Sequence, residues 1–226
     1  MRKLIVCVLF FLAPAINKAG DIETNFINEA SVDSYVLLKL ADMGLSKDVF
    51  DLAIKGLVKL KTNGKLPNSN IVTIADYSQS SNKKRLYVID LENRKLLFNT
   101  YVAHGRNTGD EFAKSFSNEA GSLKSSLGFF VTGKCITGSH TGYSLMINGV
   151  EKGVNDNACK REIIIHAADY ATESFIKKNG RLGRSLGCPV LPPDLNEPII
   201  ETIKGGTCLF IYNPDNKYLC SSSLLN

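Results

Sequence analysis

The sequence lacks the patterns that mark several classes of protein. Its three histidines and six cysteines show no CxxC, HxH or HxxxH spacing, so no pattern typical of a zinc site is present. No GxGxxG or phosphate-binding loop follows a predicted strand, which implies no nucleotide or other organic cofactor. Beyond the N-terminus, no apolar run approaches the roughly 20 residues that a membrane-spanning helix needs.

Charge of one sign is also scarce. The 226 residues carry a net charge of only +5, and most of the charged residues are dispersed. Lysines do pair at positions 83–84 and 177–178, but no aromatic residues alternate with them, and we interpret these pairs as solvated surface. The composition therefore gives no indication of a nucleic-acid partner.

The first residues have the layout of a secretory signal. Arg2 and Lys3 precede an apolar run over 4–12, and small residues follow at Ala15 and Ala19. We therefore predict a signal peptide over 1–19 and an exported protein of the periplasm or cell envelope, with an uncleaved N-terminal anchor as the alternative. Its removal takes away three positive charges and no acidic one, which lowers the net charge from +5 to +2.

Export would place the remaining five cysteines in an oxidising compartment. Because their number is odd, at least one thiol stays free or pairs outside the chain. If that thiol is Cys188, the other four allow three pairings, or all four stay reduced and buried. The four are Cys135, Cys159, Cys208 and Cys220.

The pattern of apolar residues changes along the chain. Residues 31–62 show helical spacing, at Val36, Leu37, Leu40 and Met43 and again after Ser46, the predicted N-cap. After Gly64 and Pro67, apolar or alternating runs rich in β-branched and aromatic residues predict strands. Short helices are predicted over 168–179 and 194–204. We predict a mainly β sandwich or partly closed barrel over 70–213, a helical extension over 20–69 and a C-terminal tail over 214–226.

One cysteine stands in an unusual setting, the stretch GRLGRSLGCPVLPP over 180–193. Gly187 before Cys188 permits close approach of the backbone to a ligand, and Pro189 after it favours an extended backbone. A structural cysteine normally sits among apolar neighbours and needs no such setting. This context is typical of a thiol that is presented rigidly as a nucleophile.

A nucleophilic thiol needs a base and a site for developing negative charge. His166 ends the apolar strand EIIIHA and can act on Cys188 as general base or as an imidazolium paired with the thiolate. Ser185 could orient the imidazole or donate to substrate, and the amides of Gly187 and Cys188 could donate to an oxyanion. Arg184 offers a fork of donors for a substrate carboxylate.

The stretch HAADYATESFIKKNGRLGRSLGCPVL resembles the signature of the murein L,D-transpeptidases of the YkuD-like type. The signature is a His, a spacer, then Ser or Thr, a variable residue, Gly and Cys, which correspond to His166, Ser185, Leu186, Gly187 and Cys188. Leu186 stands where that family usually has histidine. Further blocks, YVAHGRNTG and FSNEAGSLKSSLGFFVTG among them, extend the resemblance over residues 70–213.

The resemblance implies a mostly β fold in which Cys188 attacks a peptidoglycan stem peptide at the L-centre of diaminopimelate. A thioester forms, D-alanine leaves, and the acyl group passes to an amine. It also implies that glycines of HGRNTG and GSLKSSLG line the cleft, with His104 and Ser126 near the substrate. No metal or organic cofactor is implied, and peptidoglycan stem peptides are the expected partners.

Three alternatives remain open from the sequence. A carboxypeptidase or endopeptidase would use the same thiol and pass the acyl group to water. A zinc enzyme would use His104, His140 and His166 as ligands. A wall-binding module without catalysis would keep the scaffold only. The sequence does not indicate the acyl acceptor or the oligomeric state.

Overall fold

An eight-stranded sheet forms the body of the fold. The computed structural model describes residues 34–226. The strands follow one another across the sheet in the order β3-β2-β1-β8-β4-β5-β6-β7. They are β1 (Ile71–Asp76), β2 (Leu86–Asp90), β3 (Lys95–Thr100), β4 (Gly128–Gly138), β5 (Gly142–Gly149), β6 (Ile164–Ala167), β7 (Val190–Leu191) and β8 (Cys208–Tyr212).

The two ends of this sheet meet. Ala103, just after β3, exchanges both backbone hydrogen bonds with Val190 of β7, at 2.9 and 3.2 Å. This bridge joins the first strand in the order to the last, so the sheet is nearly closed. The prediction of a mainly β, partly closed barrel is confirmed.

Parallel pairing occurs at two places in the otherwise antiparallel sheet. β1 pairs with β8 in the centre, and β6 pairs with β7 next to the bridge. In the second pair His166 lies opposite Val190, two residues after Cys188. The predicted base and the predicted nucleophile are therefore carried by neighbouring chain segments.

Helix α1 (Lys47–Thr62) packs on the sheet through its apolar face. The side chain of Ser46 accepts a hydrogen bond from Val49 N, which confirms the predicted N-cap. A Cβ at Gly56 would come within 2.0 Å of the Phe129 ring in β4, so only glycine permits this close approach. The helix and the sheet share one hydrophobic core.

The prediction of helix over 31–62 needs correction in its first half. Residues 34–37 are helical, turns follow to position 44, and α1 begins at Lys47. Lys39 and Gly44 have φ values of +50° and +88°, which an α-helix cannot accommodate. Leu40 is buried, but Val36, Leu37 and Met43 are exposed, so helical spacing did not mark a buried face here. Positions 31–33 and the predicted signal peptide lie outside the described residues.

The helices that follow are α2 (Glu173–Asn179), α3 (Pro193–Ile203) and α4 (Asn216–Ser221), with a 3₁₀ turn at Asp169–Ala171. The first two agree with the predicted helices apart from their boundaries. The third lies in the predicted tail, where Tyr218, Leu224 and Leu225 are buried in the main core. In the structure, neither α1 nor this C-terminal segment stands apart from the sheet.

No disulfide bond joins the cysteines between residues 34 and 226. The described cysteines, Cys135, Cys159, Cys188, Cys208 and Cys220, are all free thiols in the structure. No helix between residues 34 and 226 is both long enough and apolar enough to cross a membrane.

Candidate active site

A cleft of about 750 Å³ opens beside the β4–β5 hairpin. The hairpin forms one wall with Ile136, His140 and Met146, and the segments around β6 and before β7 form the other. Of the predicted site residues, Cys188, His166, Ser185 and Arg184 line this cleft, together with His140. Residues that were not predicted also line it, chiefly Arg161, Tyr170 and Cys159.

The backbone at Gly187 explains the glycine before the cysteine. Its φ is +135°, and a Cβ there would lie 2.9 Å from the carbonyl oxygen of Lys124. A side chain would therefore suffer both backbone strain and a collision with a neighbouring loop. The close approach that the sequence indicates does occur, but the approaching partner is another loop of the same chain.

The hydroxyl of Ser185 closes the turn that carries the thiol. Its Oγ donates to the carbonyl of Cys188 at 2.6 Å and accepts from Gly187 N at 3.0 Å. No hydrogen bond joins Ser185 to His166 among the bonds of these described residues. The hydroxyl of Ser185 is thus bonded within its own turn and not to the imidazole. One of these bonds also engages the Gly187 amide, the predicted oxyanion donor.

The nucleophile loop is fixed along one side by the segment 103–106. Ser185 N donates to the carbonyl of His104 at 2.9 Å, and Arg106 N donates to the carbonyl of Ser185 at 2.8 Å. A Cβ at Gly105 would lie 3.0 Å from the Cα of Gly187. The two loops are therefore in backbone contact, and the glycines of both make that contact possible.

Ser125 links these two loops, and sequence reasoning chose its neighbour instead. Ser125 Oγ accepts from Gly105 N and donates to the carbonyl of Gly187, both at 3.0 Å. Ser126 is only 2 % exposed and does not line the cleft; its Oγ donates to the carbonyl of Ser117. The structure therefore places Ser126 behind the cleft, where it does not face a substrate.

His104 also lies behind the cleft, against the expectation of substrate contact. It is 1 % exposed, its Nδ1 accepts from Arg85 Nη2 at 2.8 Å, and its Nε2 faces the carbonyl of Gly109 at 3.2 Å. Burial first, and the Arg85 guanidinium second, lower the pKa of His104 to about 3. It is a neutral acceptor for a fully buried arginine and holds the loop from inside.

His166 has the protonation state of a base. Its Nδ1 lies 3.0 Å from the carbonyl of Ala167, which can only accept, so Nδ1 carries the proton and Nε2 is left to accept one. Burial lowers the pKa of His166, and the Ala167 carbonyl opposes that effect. The imidazole is therefore neutral near pH 7.

Cys188 has the protonation state of a thiol. Burial raises its pKa, while the N–H of Ile164 and the charge of Arg161 lower it. Its Sγ donates to the carbonyl of Glu162 at 3.7 Å, and the structure shows no hydrogen bond between Cys188 and His166. This arrangement favours proton transfer from a neutral thiol to a neutral imidazole over a preformed ion pair.

Arg161 is the cleft residue that sequence reasoning missed most clearly. Its Nη1 donates to the carbonyl of Ser117 at 2.7 Å and to Ser126 Oγ at 2.5 Å. Its Nη2 donates to the carbonyl of Lys124 at 2.6 Å. The only sequence signal was one arginine just before the strand that carries His166, which composition alone does not distinguish from a surface residue.

Arg184 lines the cleft but already forms an ion pair. Its Nη1 forms an ion pair with Asp110 at 2.6 Å, and Asp110 is itself well exposed. Arg181 approaches the same carboxylate at 3.7 Å. A substrate carboxylate at Arg184 would therefore compete with, or share, this pair.

The three histidines do not converge on a metal site. In the part of the chain that the structure describes, no three His, Cys, Asp or Glu side chains lie close enough to hold an ion. His104 is buried, while His140 lies on the hairpin wall and His166 on the opposite wall. Cys188 and His166 instead lie on neighbouring chain segments of that opposite wall.

The sequence model of the L,D-transpeptidase catalytic domain family matches residues 41–212. The chain belongs to this family. The match begins before α1, within the predicted extension, and ends at the last residue of β8. No curated protein matches the chain in sequence.

Solved structures of L,D-transpeptidases are similar to this family member at low sequence identity. One from Mycobacterium smegmatis is 11% identical with a TM-score of 0.40, covering 64% of this chain and 59% of its own. The protein from Stackebrandtia nassauensis is 13% identical with a TM-score of 0.38, covering 74% and 67%.

The helical cell-shape-determining protein Pgp2 from Campylobacter jejuni is also similar. It is 14% identical with a TM-score of 0.45, covering 70% of this chain and 56% of its own. The chain spans about three fifths of the length of the first such structures.

Proposed function

We propose that this protein is a peptidoglycan L,D-transpeptidase that acts through Cys188. The observation that carries the proposal is the placement of Cys188 and His166 in one cleft of a fold of the L,D-transpeptidase catalytic domain family. A neutral thiol and a neutral imidazole with an accepting Nε2 are the states that general-base activation of a thiol requires.

The reaction has two acyl transfers. Cys188 Sγ attacks the carbonyl at the L-centre of diaminopimelate while His166 Nε2 takes the thiol proton. The C–N bond breaks, D-alanine leaves with that proton, and a thioester remains. An amine then attacks the thioester, its proton passes to His166, and Cys188 regains it as the thiol leaves. The Cys188 amide remains as an oxyanion donor, since the Gly187 amide is bonded to Ser185.

Residues of the cleft walls would bind the stem peptide. Arg184 lines the cleft and would bind a stem-peptide carboxylate in exchange for its ion pair with Asp110. His104 and Ser126 act indirectly, the first by holding the loop 103–106 and the second by bonding Arg161. Stem peptides lie outside the cytoplasm, so the protein acts in the cell envelope, to which the predicted signal peptide would deliver it.

Intact mass spectrometry tests the proposal most directly. The protein is incubated with a disaccharide-tetrapeptide, with and without a D-amino acid. We expect a thioester adduct on Cys188 that resolves to an exchanged stem peptide. An adduct that resolves only to the tripeptide would instead establish a hydrolase, and the absence of any adduct while stem peptides still bind would leave a wall-binding module.

Matched variants assign the chemistry to the two residues. Cys188→Ala and His166→Ala should abolish adduct formation with the fold intact. Cys159→Ala is the control, because Cys159 lines the same cleft and also has a free thiol. Loss of the adduct in Cys159→Ala, or its persistence in Cys188→Ala, would contradict the assignment.

A further inference from the structure

Arg161 is a cation in the cleft without a carboxylate partner. Among the ion pairs of residues 34–226, Arg184 is bound to Asp110, whereas none involves Arg161. Its hydrogen bonds go to neutral oxygens only, namely carbonyls and serine hydroxyls. A half-buried guanidinium that is satisfied by neutral groups keeps its full charge available to a nearby anion.

The hydrogen bonds of Arg161 also fix where that charge sits. The acceptors all lie in the segment 117–126, and they engage both ends of the guanidinium fork. Ser126 contributes its hydroxyl and is itself buried, which explains a serine at this position. The head group is therefore held in one position and is not free to swing into solvent.

The charge is held beside the nucleophile. Nη2 of Arg161 lies 3.5 Å from the place where a Cβ on Gly187 would be, directly before Cys188 in the chain. The Lys124 carbonyl oxygen, which would lie 2.9 Å from that Cβ, is the same oxygen that accepts from Nη2. Arg161, the segment 117–126 and the turn at Gly187 are thus in mutual contact, one residue before Cys188.

We propose that Arg161 is the electrostatic partner of the Cys188 thiolate, stabilising the anion that forms when His166 removes the proton. In this role it supplies the positive charge that a leucine at position 186 does not. The inference deepens the proposed function, since it concerns the same nucleophile, but it can be tested on the thiol alone. The charge of Arg161 also lowers the pKa of Cys188, against the effect of burial, as a partner of the thiolate should.

Other charged and titratable groups also face this thiol. Glu162 raises the pKa of Cys188, and its carbonyl accepts from Sγ. His166, Tyr170 and Tyr77 are neutral near pH 7. Arg184 is paired with Asp110, whereas no ion pair of residues 34–226 involves Arg161, so the charge of Arg161 remains available to Cys188.

The pH dependence of Cys188 alkylation by iodoacetamide measures the thiol directly, with each cysteine followed by peptide mass spectrometry. In Arg161→Gln and Arg161→Met we expect the midpoint for Cys188 to rise by about one pH unit and its rate at pH 7 to fall about tenfold. Arg161→Lys keeps the charge and should recover part of that rate. An unchanged midpoint in the neutral variants would overturn the proposal.

Three controls separate the charge from a merely structural role. Cys159 in the same cleft should react at its wild-type rate in every variant. Lys124→Met removes the charge of a neighbouring lysine, whose Nζ donates to Ser115 Oγ. This variant should leave the alkylation midpoint of Cys188 unchanged. Ser126→Ala loosens the support of Arg161 but keeps its charge. A midpoint shift in Ser126→Ala as large as in Arg161→Gln would identify Arg161 as a brace only.

A measurement on the wild-type protein keeps the proposal testable if the neutral variants do not fold. The ¹⁵N resonance of Arg161 Nε should shift with pH at the midpoint of Cys188 alkylation, and it should not shift in Cys188→Ser. An Arg161 resonance that ignores the ionisation of Cys188 would overturn the proposal. Neither experiment requires turnover, so failure of the proposed function would appear separately, as a reactive Cys188 that never forms the thioester.

Discussion

At the scale of single residues, the sequence predicted which side chains meet better than it predicted what each one does. Cys188 and His166 line one cleft, as the spacing and the family resemblance implied. Ser185 also lies there, but its hydroxyl bonds within its own turn. A sequence shows that a hydroxyl is near a thiol. The groups that this hydroxyl can reach depend on the backbone conformation at Gly187, which the sequence does not specify.

The same limit explains the exchange of Ser125 for Ser126. Adjacent residues point to opposite sides of an extended chain, so a choice that is wrong by one position selects the other face. Arg161 was missed for a related reason, because its importance comes from the segment 117–126, which is distant in sequence. Contacts between distant segments are what sequence reasoning from one chain lacks.

The pH profile of kcat/KM tests the state of His166. Since burial lowers the pKa of His166, a general base at this position stays neutral below its usual pKa of about 6.5. We expect the acid limb of the profile to lie below that value, with activity lost as pH falls through the pKa of the folded protein. The measurement is the rate of D-amino-acid exchange between pH 4 and 9.

An acid limb above pH 7 would contradict this interpretation, because a general base whose pKa is lowered by burial cannot produce it. His140→Ala serves as the control, because His140 lines the same cleft on the hairpin wall. Its removal should leave the position of the acid limb unchanged, whereas His166→Gln should reduce the rate at every pH.

At the scale of elements, the strands were predictable and the connections were not. Alternating and apolar runs marked each long strand, because the residues of a sheet pattern are local in sequence. The closure of the sheet depends on the bridge between Ala103 and Val190, and β7 itself has only two residues. Such short pairings leave no periodic signal, yet they hold the loop that presents Cys188.

Gly105→Ala tests whether contact between the two loops positions the nucleophile. The new Cβ would lie 2.7 Å from the carbonyl of Leu123 and 3.0 Å from the Cα of Gly187. Because both neighbours are backbone, the loops must separate, and we expect at least a tenfold loss of kcat from a shift of the thiol by a fraction of an ångström. The measurement is kcat for exchange, beside the melting temperature.

Gly133→Ala is the matched control for this substitution. A Cβ at position 133 meets nothing closer than 3.3 Å, and one of those neighbours is the flexible side chain of Asn148. This variant should keep kcat within about twofold of wild type. Equal losses in the two variants would show that the contact between the loops has no special importance for the thiol.

At the scale of the whole molecule, stability and site depend on the same interior. Arg85 and His104 are buried together behind the nucleophile loop, and Tyr77 stacks under the guanidinium at 4.8 Å. The composition gave no indication of a buried arginine, because charged residues are rarely buried completely. One of its acceptors, beside the carbonyls of Val102 and Gln79, is a neutral histidine, which makes the arrangement sensitive to acid.

Acid unfolding should reveal this pair. The pKa of His104 is about 3 in the folded protein, against about 6.5 unfolded, so the unfolded chain binds an extra proton between these values. The contribution is fully present above pH 6.5 and is lost as pH falls towards 3, at up to about 1.4 kcal/mol per pH unit. Urea unfolding at a series of pH values measures the slope.

His104→Gln removes the titrating group and keeps a side-chain acceptor for Arg85. Its free energy of unfolding should be lower than that of wild type at pH 7 but should depend less on pH between 6.5 and 4. His140→Ala again serves as a control and should keep the wild-type slope. Identical slopes in wild type and His104→Gln would show that His104 is not the group responsible.

The C-terminal segment completes the interior from the opposite side. Glu151 is buried, and its carboxylate accepts from Phe129 N at 2.8 Å, from Tyr218 Oη at 3.1 Å and from the hydroxyl of Ser222. Two of these three donors lie beyond position 213, in the segment that the sequence marked as a tail. Its apolar residues are too few to show a periodic pattern, which is why the sequence did not indicate a packed element.

Ending the chain before Asn216 should therefore destabilise the whole domain. The deletion exposes the pocket of Tyr218, Leu224 and Leu225, and burial of each such side chain is worth about 1.5–3 kcal/mol. It also leaves Glu151 with one donor, so we expect the free energy of unfolding to fall by more than about 4 kcal/mol, or the protein to be insoluble.

Tyr218→Phe removes one hydrogen bond alone and should lower the free energy of unfolding by about 1 kcal/mol. Lys217→Ala, at an exposed position of α4, is the control in urea unfolding. A truncated protein that unfolds at the wild-type urea midpoint would show that the segment is a tail after all, whereas the packing of Tyr218 against Glu151 requires the midpoint to fall.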